Sequence, residues 1–167
     1  GTLRYLTSLM SGLIVNSNTE ANDIWIIDDV SVNVNATSRI DARIAQEVKS
    51  IEGVAESYGV VIANSTVTFN GSKSSPVNIV GSEGPTFAAG PNRSKIYAGD
   101  INQLHQSDAL SAEFNNGKNL GVELKSDIAF EINNKNAIIK VLTKNAQGFG
   151  GNFMYTNISN ARFYGNF

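Results

Sequence analysis

Val60-Val61-Ile62-Ala63-Asn64-Ser65-Thr66-Val67-Thr68-Phe69-Asn70-Gly71 is the stretch on which the fold turns. Its β-branched residues favour a pleated, half-buried strand. Asn70-Gly71 then supplies two positions that accept positive φ, the strongest short hairpin signal a sequence carries. The strand is predicted over residues 55–69, with a break near Asn64, and its return over Ser75 to Val80. Pro76 lies near the start of the return, where a missing donor is tolerated. Just upstream, Ser38 suits an N-cap and Asp41 completes a capping-box-like pair. Ile40, Ile44, Val48 and Ile51 recur at helical spacing, and Gly53 supplies the left-handed residue that closes a helix.

Working outward, Leu3, Leu6, Met10 and Leu13 share one side of a helix that Leu9 and Ile14 broaden, with Arg4 and Tyr5 opposite. That segment reads equally as a helix on the core or as a juxtamembrane helix at residues 1–15, because its polar face is thinly charged. Asn16 to Asn22 is a polar break. Asp23-Ile24-Trp25-Ile26-Ile27 reads as a buried strand, and Val30, Val32 and Val34 as a half-exposed extended run. On the other side, Gly84-Pro85 and Gly90-Pro91 mark residues 81–93 as a loop and a boundary.

Ile96 and Tyr97 lead into Gly99-Asp100 and a short helical stretch towards His105. Ala109 to Phe114 reads as extended, and Asn116-Gly117 as a second tight turn. Ser126 to Ile132 and Asn136 to Thr143 form a hairpin across Asn133-Asn134-Lys135. Gly148, Gly150 and Gly151 make a loop around Phe149, before a strand at Phe153 to Thr156 and a closing helix at Ile158 to Tyr164. Together these predict an α+β fold, with a mixed, mostly antiparallel sheet and packed helices.

A chain of 167 residues is the size of one domain. Only 17% of it is charged, against roughly 25% in ordinary globular chains. Asparagine fills the gap, with 21 copies. A net charge of -2 argues against nucleic acid as a main partner, since counterion release needs clustered cations. Zero cysteines exclude disulfides, thiolate nucleophiles and Cys-based metal sites, and the single histidine removes most His-based chemistry. No apolar run approaches the ~20 residues needed to span a bilayer. The start at Gly1, without methionine or a signal-peptide pattern, reads as a mature product or an excised fragment.

Candidate chemistry is sparse. Asp100 and Asp108 flank His105, a set that invites metal or acid–base work but is poor beside ordinary zinc sites. No serine lies in a Gly-x-Ser-x-Gly elbow. Asp28-Asp29 are neighbours in an extended run and point to opposite faces. Gly117-Lys118 is followed by Asn119, so no Walker A loop is present, and the Gly148–Gly151 cluster lacks dinucleotide spacing. Five Asn-x-Ser/Thr sequons, at Asn35, Asn64, Asn70, Asn92 and Asn157, barely exceed the number this composition gives by chance. No cofactor and no metal is expected.

The order of segments resembles the extracytoplasmic core domain of bacterial ABC transporter permeases of the FtsX/MacB type. The likeness rests on the amphipathic start at Leu3 to Ile14, the strand Asp23 to Asp28, and Ser38-Arg39-Ile40-Asp41 leading a helix that ends Ile51-Glu52-Gly53-Val54. That ending is similar to the family's Ile-Pro-Gly-Val helix exit, with Glu52 at the proline position. Val77-Asn78-Ile79-Val80-Gly81 resembles the strand before the family's variable loop. Ile96-Tyr97-Ala98-Gly99-Asp100 resembles its Gly-Asp turn, and Leu120-Gly121-Val122 the step before its strand pair. Met154-Tyr155-Thr156-Asn157-Ile158-Ser159-Asn160-Ala161 is similar to the segment before the family's next membrane helix.

The resemblance implies a MacB-like periplasmic core, one domain over residues 1–167, with 84–115 as a variable insertion or reduced second lobe. It implies a membrane protein whose domain lies in the periplasm or outside the cell. It further implies no catalytic residues, an ATP-binding subunit in the cytoplasm reached through the rest of the permease, a permease dimer, and an adaptor protein or a lipid or peptide cargo as partners. Coupling of cytoplasmic ATP hydrolysis to export or envelope work would be mechanical. Phe87, Phe149 and Phe153 are the loop aromatics expected to meet a partner. Two rival readings stand beside it: a secreted or surface-anchored binding module, and a small hydrolase using Asp100, His105 and Asp108.

Overall fold

The computed structural model describes residues 17, 18, 24, 26, 43–69, 74–83, 87–146 and 152–166. The readings placed on Leu3–Ile14, Ser38–Asp41, Asn70-Gly71, Gly84-Pro85 and Gly148–Gly151 lie outside them, as does most of the Asp23–Val34 stretch. The decisive stretch forms β1 (Val60–Thr68), paired antiparallel over its whole length with β2 (Ser74–Ser82). β1 begins at Val60 rather than Ala55, and Asn64 does not break it. Ala63, Ser65 and Val67 are buried while Asn64 and Thr66 are exposed, so the polar residue takes the solvent side of a regular alternation.

Upstream lies α1 (Arg43–Lys49), an exposed helix with Ile44 and Val48 half-buried. Ile51, expected on its apolar face, is exposed. The helix ends at Lys49, and Ile51 falls in the following turn, where its N–H donates to Val48 O and its carbonyl accepts from Val54. Gly53 has φ +91, the left-handed geometry expected of it. Ile24 and Ile26 are exposed, contrary to the buried strand read there; neither belongs to a strand, and neither meets the core.

The remaining elements are β3 (Ile96–Ala98), β4 (Ala109–Glu113), α2 (Gly117–Leu120), β5 (Ile128–Ile132), β6 (Lys135–Thr143), β7 (Phe153–Asn157) and α3 (Ile158–Gly165). The hairpin of β5 and β6 turns at Asn133 and Asn134, both at positive φ, so Lys135 already belongs to β6. Residues 116–117 make no tight turn. Gly117 has helical angles and opens α2, and a Cβ there would lie 2.7 Å from Val122 O. The glycine serves close approach rather than positive φ.

The seven strands form one mixed sheet ordered β3-β6-β5-β1-β2-β7, with β4 beside β6. Four pairings are antiparallel, whereas β2–β7 and β4–β6 are parallel. β4 and β5 overlap on β6, and so do β4 and β3; β3 and β5 therefore share one edge of β6 and β4 takes the other. Both strands inside residues 84–115, β3 and β4, thus belong to this sheet.

The far side of β4 faces β7, and side chains close that seam. Ser111 Oγ accepts from Tyr155 N–H (3.1 Å), and Thr156 Oγ1 donates to Ala109 O (2.7 Å). Asn160 Nδ2 donates to Ala109 O as well (3.3 Å).

The main core gathers Val67, Ile79, Leu110, Ile132, Ile139 and Met154 under α3, whose Ala161 and Tyr164 are fully buried. Val80, Ala89, Phe153 and Tyr155 form a second cluster, and Phe87, Leu104 and Val141 a third. Tyr164 also carries a pH signature. Its hydroxyl donates to Asn136 O (2.7 Å) and meets Asp108 Oδ1 (3.4 Å).

Burial first, and then the charge and hydrogen bond of Asp108, push the phenol well above its ordinary value of 10. Below pH 10 both folded and unfolded chains keep this proton, and the contribution is fully present. Above it the unfolded chain ionises first, so stability falls as pH rises. Tyr164→Phe is expected to flatten that alkaline decline in the urea midpoint. At pH 7 it should cost about 1 kcal/mol for the lost bond.

Candidate functional site

The parallel strands β2 and β7 end together, and α3 begins directly after β7. A cleft of about 560 Å³ opens there, lined by Glu83, His105, Ser107, Asn157, Ser159 and Asn160 among others. Asparagines build its walls. Asn157 Oδ1 accepts from Asn160 N–H and caps α3, while its Nδ2 donates to Leu104 O (2.7 Å). Asn160 Nδ2 donates to Gln106 O, Ala109 O and Thr156 Oγ1. These amides hold the 3-10 turn Ile101–His105 and the start of β4 against α3.

The three residues that could have formed an acid–base set are engaged separately. Asp100 caps the 3-10 turn in a full capping box: its Oδ1 accepts from Asn102 N–H (2.8 Å), and Gln103 Oε1 accepts from Asp100 N–H (2.9 Å). His105 is exposed at the cleft and rests its ring on Phe87, centroids 4.6 Å apart. Asp108 turns to the Tyr164 hydroxyl. No serine hydroxyl bonds to His105, and no three of His, Cys, Asp and Glu gather as metal ligands, among the described residues. The cleft therefore presents hydrogen-bonding groups to a polar surface. Asp100→Ala is expected to cost about 1 kcal/mol, the worth of a cap, read as a lower urea midpoint.

The predicted partner-contact aromatics fall elsewhere. Phe87 is 0% exposed and stacks in the third core cluster, and Phe153 is buried in β7. Both apolar rings are consumed by packing, so neither presents a face to a partner here. Phe149 lies outside the described residues.

Among the exposed aromatics that sequence reading missed, Tyr97 on β3 and Phe114 after β4 meet edge to face at 6.0 Å, with Lys144 Nζ 5.6 Å from the Phe114 ring. Burial, followed by the nearby Glu113 carboxylate, raises the Tyr97 phenol. Glu113 itself is buried: Oε2 accepts from Thr143 Oγ1 (2.6 Å) and Ala146 N–H (3.2 Å). Strand residues give no periodic signal that separates an outward Tyr97 from an inward Phe153, because their partners are distant in sequence.

No protein-family model matches the sequence, and no curated protein matches it. Solved structures do. The chain superposes on the periplasmic region of MacB from Actinobacillus actinomycetemcomitans with a TM-score of 0.51 and 11% identity, over 70% of this chain and 54% of that one. On the extracellular domain of the noncanonic ABC-type transporter YknZ from Gram-positive bacteria it gives 0.54 and 11%, over 74% of this chain and 65% of the other. The chain thus spans just over half of the MacB region and just under two thirds of the YknZ domain. At this identity the likeness speaks of architecture: the α+β fold of this chain is that of MacB-like extracytoplasmic domains.

Proposed function

We propose that this chain is a non-catalytic extracytoplasmic domain of an ABC transporter permease, which passes the conformational cycle of a cytoplasmic ATPase to export or to envelope partners. The observation that carries the reading is the shared fold with two transporter domains from different envelopes. Two others support it. Asp100, His105 and Asp108 are spent on a cap, a ring contact and a tyrosine. The surface of the described residues offers a polar cleft and an aromatic–lysine pair.

On this reading residues 1–15 are a juxtamembrane helix, and the permease works as a dimer with an ATP-binding subunit and an adaptor or a lipid or peptide cargo. The gene sequence on both sides of the chain tests it. Apolar stretches of about 20 residues are expected beyond each end, and protease added to spheroplasts should reach the domain in the full-length protein. Natural termini at Gly1 and Phe167, or a domain shielded inside the cell, would sink the proposal.

A further inference from the structure

Asn116-Gly117 is a chemically reactive pair that the fold holds in place. Asn116 is 3% exposed, and Gly117 opens α2, a single turn that ends at Leu120. Glycine is required here, because a Cβ on residue 117 would stand 2.7 Å from Val122 O. Val122 N–H donates to Gly117 O (3.0 Å) and keeps that approach closed. Glycine after asparagine also leaves the next peptide nitrogen least hindered towards the side-chain carbonyl carbon, since it carries no Cβ. A larger residue at 117 would quench the reactivity only by overpacking the turn.

In the closed turn the pair is held out of reaction. Asn116 has φ -80 and ψ -7, and Gly117 N–H donates to Phe114 O. Attack of that nitrogen on Asn116 Cγ needs other backbone angles and a released N–H, so α2 has to open first. Leu120, 3% exposed in the main core, and the bond from Ser75 Oγ to Asn119 O (3.1 Å) hold it shut. α2 belongs to no sheet ladder, so its release leaves the strand pairings in place. Such a short piece is the kind of unit that opens without global unfolding.

We infer that Asn116 is a site of spontaneous deamidation gated by the opening of α2, and that the product keeps α2 from closing again. The Gly117 nitrogen bonds to Asn116 Cγ and the Cγ–Nδ2 bond breaks. Ammonia leaves with the proton of the Gly117 N–H, and a succinimide ring remains. Water then opens the ring at one carbonyl or the other, giving aspartate or isoaspartate at position 116. Asn116 Oδ1 is buried and accepts no hydrogen bond among the described residues. A carboxylate returned to that place would be a charge without a partner, which is costly to bury. Isoaspartate in addition lengthens the main chain by one carbon, within a turn already tight against Val122 O. This chemistry is independent of the permease reading.

Peptide mapping by mass, after incubation in mildly alkaline buffer with and without urea, tests the inference. In urea Asn116 is expected to deamidate at a rate comparable to that of the other Asn-Gly pair of the chain, Asn70-Gly71. In the folded chain Asn116 should react at least about thirtyfold more slowly, since opening exposes a buried leucine. Leu120→Ala is expected to speed the folded-state reaction about thirtyfold. Ser75→Ala, which removes only the tie to Asn119, should speed it about fivefold and serves should the first variant not fold. Phe87→Ala, in a separate core cluster, is expected to leave the rate within about twofold. Equal acceleration by Phe87→Ala and by the α2 variants would mean that only global unfolding exposes the site, and the gate is then wrong. Equal rates with and without urea, or an Asn116 that survives in urea while Asn70 reacts, overturn the inference outright. Asn116→Asp is expected to lower the urea midpoint, and an unchanged midpoint would show that the product closes α2 as well as asparagine does.

Discussion

Gly99→Ala is expected to lower stability by roughly 3–5 kcal/mol, combining a non-glycine residue at positive φ with overpacking. Gly99 has φ +82, and a Cβ built on it would stand 2.0 Å from Lys140 O, with Val141 Cα at 3.2 Å. Those are backbone atoms of β6, which β4 and β5 hold on its two edges, so they have nowhere to yield. Moving Gly99 instead would pull β3 off the sheet. Domains of this size are stable by about 5–15 kcal/mol, so the loss is a large share.

Gly53→Ala is the matched control. It too has positive φ, +91, but open space around its Cβ. Only the conformational cost of about 1–2 kcal/mol is expected there. Urea midpoints of the two variants measure the difference, and equal shifts would mean that β3 does not approach β6 as described.

Phe87→Ala is the second large effect, an expected loss of about 3–5 kcal/mol. The ring is fully buried against Leu104 and Val141, with Ile96 and Ile101 around it and His105 resting on its face. Truncation leaves a cavity that these neighbours, fixed by β6 and by a capped 3-10 turn, cannot fill. Phe114→Ala should change stability by under about 1 kcal/mol, because that ring is 47% exposed. The pair of measurements separates a core aromatic from a surface one. A Phe87→Ala chain with an unchanged urea midpoint would return Phe87 to the surface role that its place in the loop over residues 81–93 suggested.

Phe87 shows where sequence runs out. Local signals were legible: Asn133-Asn134 announced a turn and has the positive φ values to make one. The residues after Gly99-Asp100 announced a helical stretch, and Ala109 to Phe114 an extended one. What could not be read was pairing across distance. Nothing in Val77–Gly81 says that it lies parallel to Phe153–Asn157, and nothing in Phe87 says that Val141 waits beneath it. Gly117 misled for a related reason, since Asn-Gly signals a turn whereas this glycine is set by the nearness of Val122 O. Of the site, His105 was picked out as the single histidine, but not the asparagines that build the cleft around it.

Those asparagines explain the low charge. An amide carries both donors and acceptors, so one side chain can satisfy backbone groups of either kind. Asn18, Asn133, Asn157 and Asn160 each bind a backbone group more than twenty-five positions away in sequence. Among the described residues, the ion pairs Lys49–Glu56 and Lys140–Asp127 are exposed or half-exposed, and such surface pairs are worth at most about 1 kcal/mol.

The seam between β4 and β7 has a consequence for how this chain behaves in company. Unpaired strand edges are templates for edge-to-edge association. With β4 and β7 turned toward each other and bridged by Ser111, Thr156 and Asn160, two such edges are withdrawn from solvent. The edge at β3 is three residues long, irregular in register between Ile96 and Ala98, and flanked by Lys95. Short, bulged and lysine-flanked edges are poor templates. Strand exchange through these three edges is thereby discouraged, even where many copies are crowded together.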